Sequence, residues 1–217
     1  MKKITLILTL VFLTTMLQAQ LFIGTQLGFN STTETLKPNV GNEQKERSTT
    51  LTIGAMAGYQ LNDKFAVGAR LNYMFQNETI FKYFGMDDDF VTKSTVFAAE
   101  AFCQYTFARF GKFSVFADVG IGFGTGNAKM SFGSSSEDLR KMNVFAIGIR
   151  PVLAYDLSEK ITLLANLNFL GFGFTSTTKE EFYPNKNKTT ENEFDFNLNS
   201  DNIATVSALT IGFIYRF

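Results

Sequence analysis

The feature that most constrains this chain is the alternation in its last stretch, Ile203 to Phe217. Leu209, Ile211, Phe213, Tyr215 and Phe217 are large and apolar, while Ala208, Thr210, Gly212, Ile214 and Arg216 between them are mostly small or polar. A period of two marks a strand whose two faces meet different surroundings. The pattern recurs all along the chain. It appears as Leu21, Ile23, Leu27 and Phe29, and then as Leu51, Ile53, Ala55, Ala57 and Tyr59. A third run is Val67, Ala69, Leu71, Tyr73 and Phe75, and a fourth is Phe97, Ala99, Ala101, Cys103, Tyr105 and Phe107. Further runs follow: Phe113 to Phe123, Phe145 to Tyr155, and Ile161 to Phe169. With the last stretch, the spacing predicts eight strands.

The connections between these runs alternate in length. Asn62–Lys64, Ala108–Lys112 and Asp156–Lys160 are short, whereas Ser31–Ser48, Asn77–Ser94, Thr125–Met142 and Ser176–Asn202 are long and polar. An even number of antiparallel strands with short turns at one end and long loops at the other is the pattern of an outer-membrane barrel. The aromatic residues agree. Tyr59, Phe65, Tyr105, Phe107, Phe113, Tyr155, Tyr215 and Phe217 fall at the short-turn ends, and Phe29, Tyr73, Phe75, Phe97, Phe123, Phe145 and Phe169 at the long-loop ends. Two outward girdles at the two interfaces are what a lipid-facing wall needs. A water-soluble barrel would turn the apolar face inward. Side-chain volume argues against that, because the opposite face carries Gly24, Gly28, Gly54, Gly58, Gly68, Gly120, Gly122, Gly124, Gly148 and Gly212. A small barrel has room inside only for a small set.

Met1 to Ala19 reads as a signal peptide: Lys2 and Lys3 lead, Ile4 to Leu17 is apolar, and Leu17-Gln18-Ala19 offers a cleavage site. Residues 20–217 then form one barrel domain. No other apolar run is long enough for a spanning helix, and a membrane protein without helices must close its sheet, because lipid leaves unpaired backbone groups unsatisfied. Acids and bases are equal in number, 20 each, and this balance gives no reason to expect nucleic acid as a partner. Cys103 is the only cysteine, so no disulfide framework is expected.

The alternating C-terminal strand ending on Phe217, with Tyr215 and Phe213 behind it, resembles the assembly signal of bacterial outer-membrane barrels. The resemblance runs over residues 20–217 and is to small single-domain barrels of the OmpA/OmpX type. It implies an all-β, eight-stranded, antiparallel up-and-down transmembrane β-barrel with short periplasmic turns, long extracellular loops and both termini periplasmic. It also implies outer-membrane lipids and lipopolysaccharide as surroundings, and the barrel-assembly machinery as a partner during biogenesis. No counterpart is expected here to the peptidoglycan-binding domain that follows the barrel in OmpA-like proteins, so anchoring to the cell wall is not carried over. The expected function is non-enzymatic: envelope integrity or surface interaction through the loops. The alternative is a narrow porin-like channel for small solutes.

No catalytic, cofactor or metal residues are expected. Histidine is absent, which removes the usual general base beside Ser or Asp. Gly120 to Gly126 resembles a phosphate loop only superficially, since no following helix or βαβ unit accompanies it. Asp87-Asp88-Asp89 are adjacent, whereas a Ca²⁺ loop spaces its ligands. The inward charges say more. Arg70, Glu100, Asp118 and Arg150 share the polar parity on four consecutive strands. Symmetric hairpins would set Arg70 opposite Glu100 and Asp118 opposite Arg150, giving a neutral cluster. Ions in a confined interior need such pairing. The cluster reads first as a packing and register device, and second as a gate across a water path.

Overall fold

The structure is a computed structural model and describes residues 20–36, 44–81, 89–132, 135–167, 171–182, 187–197 and 209–217. The proposed signal peptide, Asp87, Asp88, Phe169 and the stretch 203–208 lie outside the described residues. Among the described residues there are ten strand segments: β1 (Gln20–Leu36), β2 (Gln44–Gln60), β3 (Phe65–Phe81), β4 (Phe90–Phe110) and β5 (Phe113–Phe132), then β6 (Ser135–Asp156), β7 (Ile161–Leu167), β8 (Gly171–Glu181), β9 (Asn187–Asn197) and β10 (Leu209–Arg216). All their pairings are antiparallel. A hydrogen-bonded ring of eight runs β1-β2-β3-β4-β5-β6-β7-β10 and closes where β10 meets β1, with Phe22 opposite Arg216.

β8 and β9 account for the difference between ten segments and eight staves. The lower part of β6 pairs with β7, Leu153 facing Ala165, and its upper part pairs with β8, Ile149 facing Phe172. β8 therefore takes over the edge of β6 above β7, and β9 pairs with β8 in turn. Between β7 and β8 the register slips by an odd number of residues. Outward side chains are odd-numbered in β7 (Ile161, Leu163) and even-numbered in β8, where Phe172 and Phe174 lie opposite Ile149 and Ile147. A one-residue slip of parity exchanges the faces of a strand. Much of the expected loop Ser176–Asn202 is therefore hairpin.

The other long connections are also shorter than expected. β1 runs on to Leu36, β3 to Phe81 and β5 to Phe132, while β4 starts at Phe90 and β6 at Ser135. Their polar ends are rich in Thr and Ser, and β-branched Thr fits a pleated surface. A strand crossing a bilayer needs about 9–11 residues. β4 has 21 and β6 has 22, so the sheet continues well past the aromatic ring at the long-strand end.

The short turns are as expected. Phe110 pairs with Phe113 across Gly111-Lys112, and Gly111 takes φ 61, the left-handed conformation that a two-residue hairpin asks of its first central residue. A bulge around Phe107 shifts the register of β4 against β5. It turns Arg109 toward the inner face opposite Ser114 and leaves Phe110 outside, 71% exposed. The apolar parity faces outward along the ring: Leu27, Phe29, Ile53, Leu71, Tyr73, Phe97, Ile121, Phe123 and Phe213 are all exposed. At the short-turn end the aromatic rings touch across strands, with Phe65 and Tyr105 centroids 4.9 Å apart and Phe113 and Tyr155 4.6 Å apart.

One expectation about the interior needs correction. Small residues do not fill it throughout. In the half nearer the short turns, Phe22, Met56, Phe102, Phe116, Val152, Leu164 and Ile214 point inward and form the buried apolar cluster.

Candidate functional site

The lumen is layered from the short-turn end upward. The mouth is polar: Arg216 Nη1 donates to Thr162 Oγ1 at 2.5 Å and lies 3.6 Å from Asp156 Oδ1. Above it lies the apolar layer. Its aromatic rings fit because glycines stand opposite them. A Cβ on Gly58 would lie 2.6 Å from Phe22 Cζ, and one on Gly68 would lie 2.5 Å from Phe102 Cζ. A methyl has no room at either place, so these glycines are required by the rings they face.

The Arg70 guanidinium lies over the Phe102 ring, 4.7 Å from its centroid, and joins the apolar layer to an ionic one. In the ladder Arg70 stands opposite Glu100, and Asp118 opposite Arg150. All four expected charges meet. Arg70 Nη1 donates to Glu100 Oε1 at 2.8 Å and its Nη2 to Asp118 Oδ2 at 2.9 Å. Arg150 Nη2 donates to the same two acids, at 2.7 Å to Glu100 Oε1 and 3.1 Å to Asp118 Oδ1. Each arginine thus bridges both carboxylates. The two acids are farther apart along the strands than adjacent diagonal neighbours, since Glu100 faces Gly122 while Asp118 faces Gln104. The tilt and stagger of a barrel bring such positions to one height, and arginine is long enough to span what is left.

The cluster also has members that the charge pattern did not reveal. Gln104 Nε2 donates to Asp118 Oδ2 at 2.9 Å. Gly120 leaves the space in which the Glu100 carboxylate sits: a Cβ there would lie 2.8 Å from Glu100 Cδ. Gln104 shares the inward parity of Glu100 at a spacing of four, and that was its only signal in the sequence. Arg70 and Asp118 are 2% and 1% exposed, so this pair depends on the network for its solvation. Two cations and two anions leave the layer neutral. Above it, Gln26 Nε2 donates to Asn72 Oδ1 at 2.8 Å.

The residues of the expected assembly signal lie together on the outer wall. Phe213 is 48% and Phe217 58% exposed, and the Tyr215 and Phe217 rings meet edge to face, 5.2 Å apart. The Phe217 amide donates to Leu21 O at 3.1 Å, and the Gln20 side chain donates to Phe217 O at 2.9 Å. Phe217 is thereby stitched to the first strand.

Comparison with known proteins adds the following. The family model described as "Outer membrane protein beta-barrel domain" matches residues 4–217. Comparison with curated proteins gave no match. Among solved structures the chain is similar to a major outer membrane protein from Thermus thermophilus, at 13% identity and TM-score 0.47, covering 92% of this chain and 99% of that one. It is also similar to Ail, the attachment invasion locus protein of Yersinia pestis, at 14% identity and TM-score 0.40, covering 92% and 97%. Neisserial surface protein A is 15% identical with TM-score 0.32, covering 92% and 99%. The closed ring, the outward aromatic girdles and the family match over nearly the whole chain agree: the chain belongs to the outer-membrane β-barrel domain family and is a protein of the outer membrane.

Proposed function

We propose that this barrel is a non-enzymatic, non-conducting surface protein that works through the sheet standing above the membrane. The observation that carries the reading is the pair of side-chain layers in the lumen. An apolar layer around Phe22, Phe102 and Phe116 lies directly against the ionic layer of Arg70, Glu100, Asp118 and Arg150. A hydrated ion would have to cross an apolar layer and part a neutral network whose charges are costly to leave unpaired. The length of β4 and β6 supports the other half of the reading, because the wall continues far beyond what a bilayer requires.

The deciding measurement is conductance in a planar bilayer. The purified barrel is expected to give no unitary steps. Regular steps from the unmodified protein would overturn the reading in favour of a narrow channel for small solutes. A deletion strain separates the two surface roles. Loss of binding to host or abiotic surfaces with an intact permeability barrier fits surface interaction. Uptake of a normally excluded dye fits envelope integrity.

A further inference from the structure

On the long-strand side of the ionic layer, a cavity of about 280 Å³ lies between β4, β5, β6 and β8. Glu100 and Arg150 form its floor, and its walls include Ala98, Gly122, Gly124, Ala146, Gly148 and Gly173. The geometry points to a binding site for a small solute carrying a carboxylate or phosphate group, held by Arg150.

The first ground is the space. The glycines of the lumen fall into two kinds. Gly58, Gly68 and Gly120 are filled by a neighbour's side chain: Phe22, Phe102 and Glu100 respectively. Gly148 and Gly173, which face each other across β6 and β8, are not. Among the described residues, a Cβ on Gly173 would meet only Ile147 O, at 3.6 Å, and one on Gly148 would meet only backbone, at 3.2 and 3.6 Å. Glycine weakens a strand interior, and where no packing side chain claims the space it marks close approach of something else. The volume is close to the roughly 300 Å³ at which small-molecule pockets begin.

The second ground is the chemistry of the floor. Arg70 is enclosed: its side chain is 1% exposed, its two terminal nitrogens face the acids, and its Nε is buried without a partner among the described residues. Arg150 is 35% exposed and gives both of its bonds from Nη2 alone. Its Nε and Nη1 have no partner among the described residues. A guanidinium carries five N–H donors in a planar fork that suits carboxylate and phosphate oxygens. Glu100 is less open, at 15%, and one of its oxygens already receives both arginines. The open donor capacity of the floor is therefore cationic. The site does not depend on whether the lumen conducts.

The test is calorimetric titration of the refolded full chain at constant ionic strength, with sodium hexanoate in one arm and inorganic phosphate in the other. One probe is expected to bind saturably, and which one does identifies the head group. Gly173→Val places a side chain in the cavity without touching the ionic layer and is expected to weaken that binding at least tenfold. Arg150→Lys keeps the charge, loses the fork and is expected to do the same. Heat-dependent gel mobility checks that each variant is folded. If neither probe saturates, or if Gly173→Val binds as tightly as the unmodified barrel, the site is refuted.

Discussion

At the scale of single residues, the ionic layer behaves as one unit. Removing one member leaves an ion without its partner, which costs about 3–5 kcal/mol when the pair is buried. Glu100→Gln strips a shared acceptor from Arg70 and Arg150, so a loss in the lower part of that range is expected in urea unfolding of the refolded barrel. Arg70→Gln with Glu100→Gln is expected to cost less than the sum of the two single changes by at least about 1 kcal/mol. Strict additivity would show that the two side chains do not act on each other. These four residues were legible in the sequence because charge on the inward parity is rare and hairpin symmetry predicts register. The apolar layer was not. Phe22, Phe102 and Phe116 stood on the same parity as the glycines, and only the ladder shows that Gly58 and Gly68 sit beneath two of the rings.

At the scale of elements, strand cores were legible and strand ends were not. Alternation of apolar and polar residues is visible only where one face meets lipid. Beyond the girdle most residues on both faces are polar, and the few apolar ones, such as Ile80 and Phe90, leave no period. The break between β7 and β8 was hidden for a related reason, because the slip exchanges odd for even outward positions and dissolves the period. The protruding ends have an electrostatic property of their own. Glu46 and Glu78 lie on adjacent strands, β2 and β3, above the aromatic ring. The hydrogen bond that protonated Glu46 donates to Glu78, then burial, then the charge of Glu78 hold the Glu46 carboxyl above its usual range. A carboxyl whose pKa is raised on folding contributes stability when protonated and loses it as pH rises through the raised value. Amide exchange at the upper ends of β2 and β3 is therefore expected to quicken, beyond its intrinsic pH dependence, as pH rises from acid toward neutral. Glu46→Gln is expected to flatten that response, and an unchanged response would remove Glu46 as its source. The lengths of the connections also predict sidedness. An epitope at Asn187 should be labelled on intact cells and one at Asp63 should not; the opposite result would place the short turns outside.

At the scale of the whole molecule, the eight-stave wall and its membrane setting were readable from the chain, because lipid permits so few solutions. The terminal residue tests how the wall is completed. Removing Phe217 deletes a backbone bond to Leu21, the acceptor of the Gln20 side chain and the ring beside Tyr215. Assembled barrel, measured as the heat-shifted band in membrane fractions, is expected to fall several-fold, whereas deleting Asn187 should leave it near the unmodified level. Equal levels would mean that the last aromatic has no special part in assembly.

The seam between β1 and β10 also has a consequence in time. From β1 to β6 each strand pairs with the one before it, so those ladders can zip as the chain arrives. The seam instead joins residues as far apart as Gln20 and Phe217, with |i−j| of 197. Contacts so distant in sequence are the slowest to form. Until they do, the curled sheet has two raw edges in a medium that offers them no hydrogen bonds. Closing the wall is thus the late step of folding, and β1 and β10 are the two edges that wait for it.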